Sequence, residues 1–77
     1  MNVKANTWTT LGTMKGWRRK RYDIREDTAL ECRYRIWGVP LPRWGKFTGH
    51  VYGHHIRGKV QVKAPKDTTI TISIRSI

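Results

Sequence analysis

Alternation of apolar and polar residues runs through the last third of this chain and constrains the fold more than any other feature. In HIRGKVQVKA (55–64), Ile, Gly, Val, Val and Ala occupy every second position, with Arg, Lys, Gln and Lys between them. TTITISIRSI (68–77) repeats the pattern with isoleucine at three alternate positions. Successive side chains of a strand point to opposite faces, so both segments are predicted strands with one buried face. PKD (65–67) between them predicts a hairpin loop.

Four upstream segments also have strand-like patterns. In chain order they are TWTTLGTM (7–14), GWRRKRYDI (16–24), LECRYRIWG (30–38) and KFTGHVYG (46–53). In the second segment Tyr22 and Ile24 are the predicted inward residues, and in the third they are Cys32, Tyr34 and Ile36. No segment keeps apolar residues at helical spacing over three turns.

These patterns predict an all-β fold, a small antiparallel barrel or sandwich of five or six strands with little or no helix. An SH3-like barrel is the preferred type. An OB-like barrel ranks second, because that fold commonly carries a helix between two strands and the sequence offers no good candidate for one. The 77 residues suffice for one small basic β domain spanning residues 1–77.

A domain of this size buries a limited core, and the sequence offers no covalent cross-link to stabilise it. Cys32 is the only cysteine, so we expect no internal disulfide, no metal site built on paired cysteines and no cofactor. Oligomerisation is the remaining source of stability, and the β-forming, weakly charged segment 68–77 is the predicted contact. The free thiol and the lack of a secretory signal at the amino terminus predict a cytoplasmic protein, or a component of a particle assembled there.

The net charge of +11, from 16 Lys and Arg against 5 Asp and Glu, predicts a polyanionic partner. Four tryptophans accompany this charge, whereas disordered basic tails are poor in aromatic residues, so we expect a folded domain. Aromatic rings stack on unpaired bases, which favours RNA or single-stranded DNA over duplex DNA. Membrane binding is not expected, because no amphipathic helix of useful length is visible.

The stretch WRRKR (17–21) places basic side chains on both faces of a predicted strand. Both faces cannot be buried, so we interpret this stretch as an edge strand or a protruding arm. Charged residues protect edge strands from aggregation, which is the alternative to a binding role.

The outward positions of the predicted strands carry basic and aromatic residues. Trp8 is expected in the core instead. In GVPLPRWGK (38–46), two prolines fix an extended loop that would present Arg43 and Trp44 at its tip. The predicted nucleic-acid-binding residues are Trp17, Arg18, Arg19, Lys20, Arg21, Arg33, Arg35, Trp37, Arg43, Trp44, Arg57, Lys59 and Lys63.

All three histidines fall in GHVYGHH (49–55). On a strand, His50 and His54 share one face at ~13 Å along the chain and His55 points away, so no metal site is predicted.

The leading prediction is a non-enzymatic module that binds RNA or single-stranded DNA. A β-strand-mediated assembly protein, or an inhibitor of an acidic protein, is the alternative. A small metal-free ribonuclease with a histidine base is a further interpretation.

Overall fold

The computed structural model describes residues 1–77 and contains eight β-strands and no helix. The strands are β1 (Asn2–Val3), β2 (Thr9–Met14), β3 (Lys20–Glu26), β4 (Glu31–Val39), β5 (Arg43–Thr48), β6 (His50–His55), β7 (Arg57–Lys63) and β8 (Thr68–Ser76). They form two antiparallel sheets: sheet I has the order β1-β8-β3-β6, and sheet II has the order β2-β7-β4-β5. The predicted antiparallel all-β fold is confirmed, but the predicted count of five or six strands is wrong, because the chain forms eight.

The chain passes repeatedly from one sheet to the other, and twice it does so across a single residue, Gly49 between β5 and β6 and Ile56 between β6 and β7. Only Gly49 separates β5 from β6, and its φ of 79° is one that glycine adopts without strain. Likewise β1 pairs with β8 in sheet I, while β2 pairs with β7 in sheet II. The barrel is not closed, so the molecule is a small β-sandwich. The SH3-like and OB-like types stay predictions.

The core lies between the two sheets and confirms the predicted inward faces. Tyr22 and Ile24 of β3 and Cys32 and Ile36 of β4 are all at most 1% exposed, and Tyr34 packs against them. The twelve buried apolar residues are Val3, Leu11, Met14, Tyr22, Ile24, Cys32, Ile36, Phe47, Val60, Val62, Ala64 and Ile70. Burying a large aliphatic side chain contributes about 1.5–3 kcal/mol, so these contacts hold the sheets together.

The predicted hairpin between residues 55–64 and 68–77 is wrong, although both strands exist. β7 pairs with β2 and β4 in sheet II, whereas β8 pairs with β3 and β1 in sheet I. The loop at 65–67 therefore carries the chain across the core. In this arrangement the apolar faces of β7 and β8 face each other across the core. Each strand therefore buries its apolar residues, as it would in a hairpin.

The prediction that β3 is an edge strand is also wrong. β3 pairs with β8 on one side and with β6 on the other, which places it inside sheet I. The strand begins only at Lys20, so residues 16–19 precede it as an irregular segment, which we call the arm. The arm retains part of the predicted protruding character, because Trp17, Arg18 and Arg19 are exposed.

Glu26 is a buried carboxylate at the end of β3 that the sequence analysis did not identify. It is 3% exposed and accepts hydrogen bonds from the backbone N–H groups of Thr28 at 2.8 Å and Leu30 at 2.9 Å. The hydroxyls of Thr28 and Thr68 donate to the same carboxylate. Burial alone would raise the pKa of Glu26, but these hydrogen bonds lower it to about 2. Glu26 thus ties the β3–β4 turn to the start of β8.

Candidate functional site

The outer surface of sheet II collects tryptophan and basic side chains from β7, β4 and β5, together with Trp8, which directly precedes β2. The β4–β7 register sets Trp37 opposite Lys59, and the β4–β5 register sets Arg35 opposite Trp44. These positions alternate with core positions, so their side chains point away from the core. We call this surface the tryptophan face, and its residues are Trp8, Thr10, Arg33, Arg35, Trp37, Trp44, Lys46, Lys59, Gln61 and Lys63.

Arg35 lies at the centre of the tryptophan face and is held by its neighbours. Its guanidinium carbon is 4.0 Å from the centroid of the Trp8 ring and 5.6 Å from that of the Trp37 ring. Its Nε donates a hydrogen bond to Gln61 Oε1 at 2.7 Å, and Gln61 Nε2 donates to Thr10 Oγ1 at 2.9 Å. This contact uses Nε, so Gln61 does not engage the two terminal nitrogens. The geometry therefore orients a guanidinium group that can bind an external acceptor.

A shallow groove of about 460 Å³ runs across the tryptophan face between Trp8 and Trp44. The centroids of the Trp37 and Trp44 rings are 6.4 Å apart, with the ring planes tilted by 39°. Both rings are largely in contact with solvent, at 51% and 70% exposure. Exposed aromatic rings of this kind can stack on a planar group.

The positive charge of the tryptophan face is almost uncompensated. Only Lys46 forms an ion pair, at 3.7 Å from Glu31, and both of those side chains are more than 60% exposed. A pair of that kind contributes about 0–1 kcal/mol and screens little of the surrounding charge. The remaining cations of the face are Arg33, Arg35, Lys59 and Lys63.

The expectation that Trp8 fills the core is wrong. Trp8 stacks on Arg35 and lines the groove, so it belongs to the tryptophan face. The register of β2 against β7 shifts between Thr10 and Gly12, which lets Leu11 and Met14 both reach the core. This bulge hides the inward–outward pattern of β2 in the sequence.

The arm residues lie beside the start of β7. Trp17 is 72% exposed and stacks under Arg57, whose guanidinium carbon is 4.7 Å from the ring centroid. Lys20 Nζ donates to the carbonyl oxygens of Arg18 at 2.8 Å and Ile56 at 3.0 Å, so it anchors the arm. Arg57 shares the outward register of Lys59 and thus extends the basic surface towards the arm.

Arg21 does not lie on the tryptophan face, because β3 belongs to sheet I. On the outer surface of that sheet its Nε and Nη2 donate to Asp23 at 3.1 and 3.2 Å. His50 Nε2 lies 2.9 Å from the same carboxylate, and Arg75 lies 3.9 Å from it. Hydrogen bonds from Arg21 and His50 lower the pKa of Asp23 to about 2. Asp23 therefore neutralises part of the charge on sheet I.

The predicted loop at 38–46 is shorter than expected. Arg43 and Trp44 are not at its tip but are the first two residues of β5, where they point to opposite sides of the strand. Leu41, 69% exposed, occupies the loop instead. Trp44 joins the tryptophan face, while Arg43 points towards the end of the sandwich.

The three histidines are separated as the alternation predicts. His50 and His54 lie on the outer surface of sheet I, and His55 points inward. The His55 ring is 1% exposed, and neither ring nitrogen has a hydrogen-bond partner. Burial lowers the pKa of His55, and the positive charge of Arg43 lowers it further. Nowhere in the chain do three or more His, Cys, Asp or Glu side chains come together to hold a metal ion.

Comparison of the chain with protein-family models, with curated proteins and with solved structures found no match. None of its segments forms a helix long and apolar enough to cross a membrane.

Proposed function

We propose that this protein binds single-stranded nucleic acid, RNA or DNA, on the tryptophan face without catalysing a reaction. The observation that carries the proposal is the alternation of exposed tryptophan rings with unpaired cations on one sheet surface. Cations match the phosphates, and the rings stack on bases that a duplex would keep paired.

The contacts around Arg35 support a phosphate-binding role for this residue. Trp8 and Trp37 flank its guanidinium, and Gln61 fixes its orientation. A guanidinium held in this way loses less side-chain entropy on binding, and its planar group of donors suits phosphate oxygens. The tryptophan rings beside it would stack on the neighbouring bases, each worth about 1–3 kcal/mol.

The framework for this surface is an open sandwich whose strands bend between sheets, and we propose that its strand arrangement is of the SH3-like type. The single thiol, Cys32, is buried and unpaired, which fits a reducing compartment, so we place the protein in the cytoplasm or in a particle assembled there.

The test is the salt dependence of binding to a fluorescent single-stranded oligonucleotide. Replacing two lysines of the tryptophan face (K59Q/K63Q) should weaken binding and reduce the slope of log affinity against log salt by about 1.4, or about 0.7 for each lost phosphate contact. The matched control is K4Q/K66Q, which removes the same charge at exposed positions outside the face. Equal losses in the two variants, or an affinity indifferent to salt, would contradict the proposal.

Assembly through residues 68–77 remains the second candidate function. β8 pairs with β3 along residues 70–76, but on its other edge β1 covers only Thr68 and Thr69, and Met1 extends this cover to Ile70 through two backbone hydrogen bonds. The rest of that edge has no strand partner, and such an edge can pair with another chain. An oligomer of this kind would be compatible with nucleic-acid binding, since the tryptophan face belongs to the other sheet.

A further inference from the structure

A second basic concavity lies at the end of the sandwich, where the arm meets β5 and β6. We call it the end cleft. Its volume is about 450 Å³, and Arg19, Pro40, Arg43, His54, His55 and Ile56 line it. The tryptophan face does not include these residues.

The chemistry of the end cleft favours an anion. Arg19 and Arg43 both line it, and neither belongs to any of the ion pairs in the chain. No carboxylate lines the cleft, and the imidazole of His54 adds a further polar group to its wall. His55, at the base, is a buried ring with two unpartnered nitrogens. Buried polar groups are rarely left without a partner, and the backbone of Gly38 and His54 is the nearest polar surrounding of this ring, so a ligand would have to shift the ring to bond it.

A smaller depression of about 290 Å³ lies between the end cleft and the groove of the tryptophan face and shares lining residues with both. Tyr34 and Trp44 line both this depression and the groove of the tryptophan face. Arg43 lines both the depression and the end cleft. The three concavities therefore lie next to one another around the start of β5, and we infer that they form one path for a bound strand. A strand stacked on Trp44 could follow this path into the cleft.

We propose that the end cleft binds the terminal phosphate of the nucleic acid strand held on the tryptophan face. This inference rests on the proposed function. A terminal phosphate monoester carries close to two negative charges at neutral pH and three acceptor oxygens, whereas an internal phosphodiester carries one charge. Two guanidinium groups beside imidazoles match the monoester better, because each guanidinium can form paired charge-assisted hydrogen bonds.

The experiment compares one short oligothymidylate in three forms: with a 5′-phosphate, with a 3′-phosphate and with neither. We expect one phosphorylated form to bind ~10-fold more tightly than the unphosphorylated form, a gain typical of added charge-assisted hydrogen bonds. The double variant R19Q/R43Q should reduce this ratio to about one. K4Q/K66Q, which removes the same charge elsewhere, should preserve the ratio. Equal binding of the three forms by the unaltered protein would overturn the inference and leave the proposed function intact.

A titration with inorganic phosphate separates the two proposals, because it needs no oligonucleotide. NMR signals of the His54 and His55 rings should shift on adding phosphate, and the shift should disappear in R19Q/R43Q. If the chain binds no oligonucleotide at all, the proposed function fails. The phosphate titration then decides the end cleft alone: a saturable shift supports an anion site there, and no shift overturns it.

Discussion

Glu26 is an acidic residue inside a chain of net charge +11, and its role is structural. Four hydrogen bonds from Thr28, Leu30 and Thr68 converge on its carboxylate, which is why the charged form is stable despite burial. Arg35 shows the same principle at the surface, where Trp8 and Gln61 hold one side chain in a fixed orientation. In both cases the surroundings of one residue determine the charge or geometry that it offers.

The first prediction concerns the stability that Glu26 supplies. Its pKa falls from the ordinary 4.5 to about 2 on folding, so the stabilisation is complete above pH 4.5 and is lost as the pH falls towards 2. Glu26→Gln turns an amide NH₂ towards hydrogen-bond donors and should lower the free energy of unfolding at pH 7 by about 1–3 kcal/mol. Urea denaturation between pH 2 and 7 measures both effects.

The matched control for this prediction is Glu31→Gln. Glu31 is exposed and pairs only with Lys46, so its loss should change the free energy of unfolding by less than about 1 kcal/mol. A Glu26→Gln protein that is as stable as the unaltered chain at pH 7 would show that the carboxylate does not hold the turn.

At the scale of elements, β4 shows how one strand serves both core and surface. Cys32 and Ile36 point into the core, while Arg33, Arg35 and Trp37 point outward. No strand contributes more than three residues to the tryptophan face. The antiparallel register then turns these separate contributions into one surface.

The second prediction separates the tryptophans by their position. Trp37 and Trp44 lie side by side in the groove, and Trp17 lies on the arm under Arg57. Trp37→Ala and Trp44→Ala should each weaken binding of single-stranded oligonucleotide by ~5- to 150-fold, the loss expected when one stacked base loses its ring. Trp17→Ala should have a smaller effect. Fluorescence anisotropy measures the three affinities, and equal losses would argue against a groove centred on Trp37 and Trp44.

Alternation in the sequence predicts strands and their faces but not their partners. It placed Arg33, Arg35, Trp37, Lys59 and Lys63 outward, and the structure brings all five to one surface. Alternation could not reveal that β7 and β8 belong to different sheets, because a hairpin and a crossing of the core bury the same faces.

Local irregularities explain what else the sequence analysis missed. The bulge in β2 obscured the orientation of Trp8, since one extra residue reverses the pattern beyond it. The bend at Gly49 splits one predicted strand into β5 and β6. The end cleft joins residues that are distant in sequence, so no local pattern marks it.

At the scale of the whole molecule, the two outer surfaces differ in electrostatic character. On sheet I, Asp23 binds Arg21 and His50 and lies near Arg75. On sheet II, four of the five cations of the tryptophan face have no carboxylate partner. The field of the molecule should therefore orient an approaching polyanion towards sheet II. The outer surface of sheet I would remain exposed to solvent in a complex with nucleic acid.

Because Cys32 is buried, the rate at which its thiol reacts measures how often the sandwich opens. Its side chain is 0% exposed, and burial raises the pKa of the thiol, so the reactive thiolate forms only when the sandwich comes apart. Alkylation by a small reagent should be at least ~1,000-fold slower than in urea, in proportion to the equilibrium constant for unfolding. Saturating oligonucleotide at 100 times its dissociation constant should slow alkylation roughly 100-fold more, since the ligand binds only the folded chain. Rapid alkylation without denaturant would mean that the core opens locally around β4. The alkylation rate would then measure local opening of that strand rather than global unfolding.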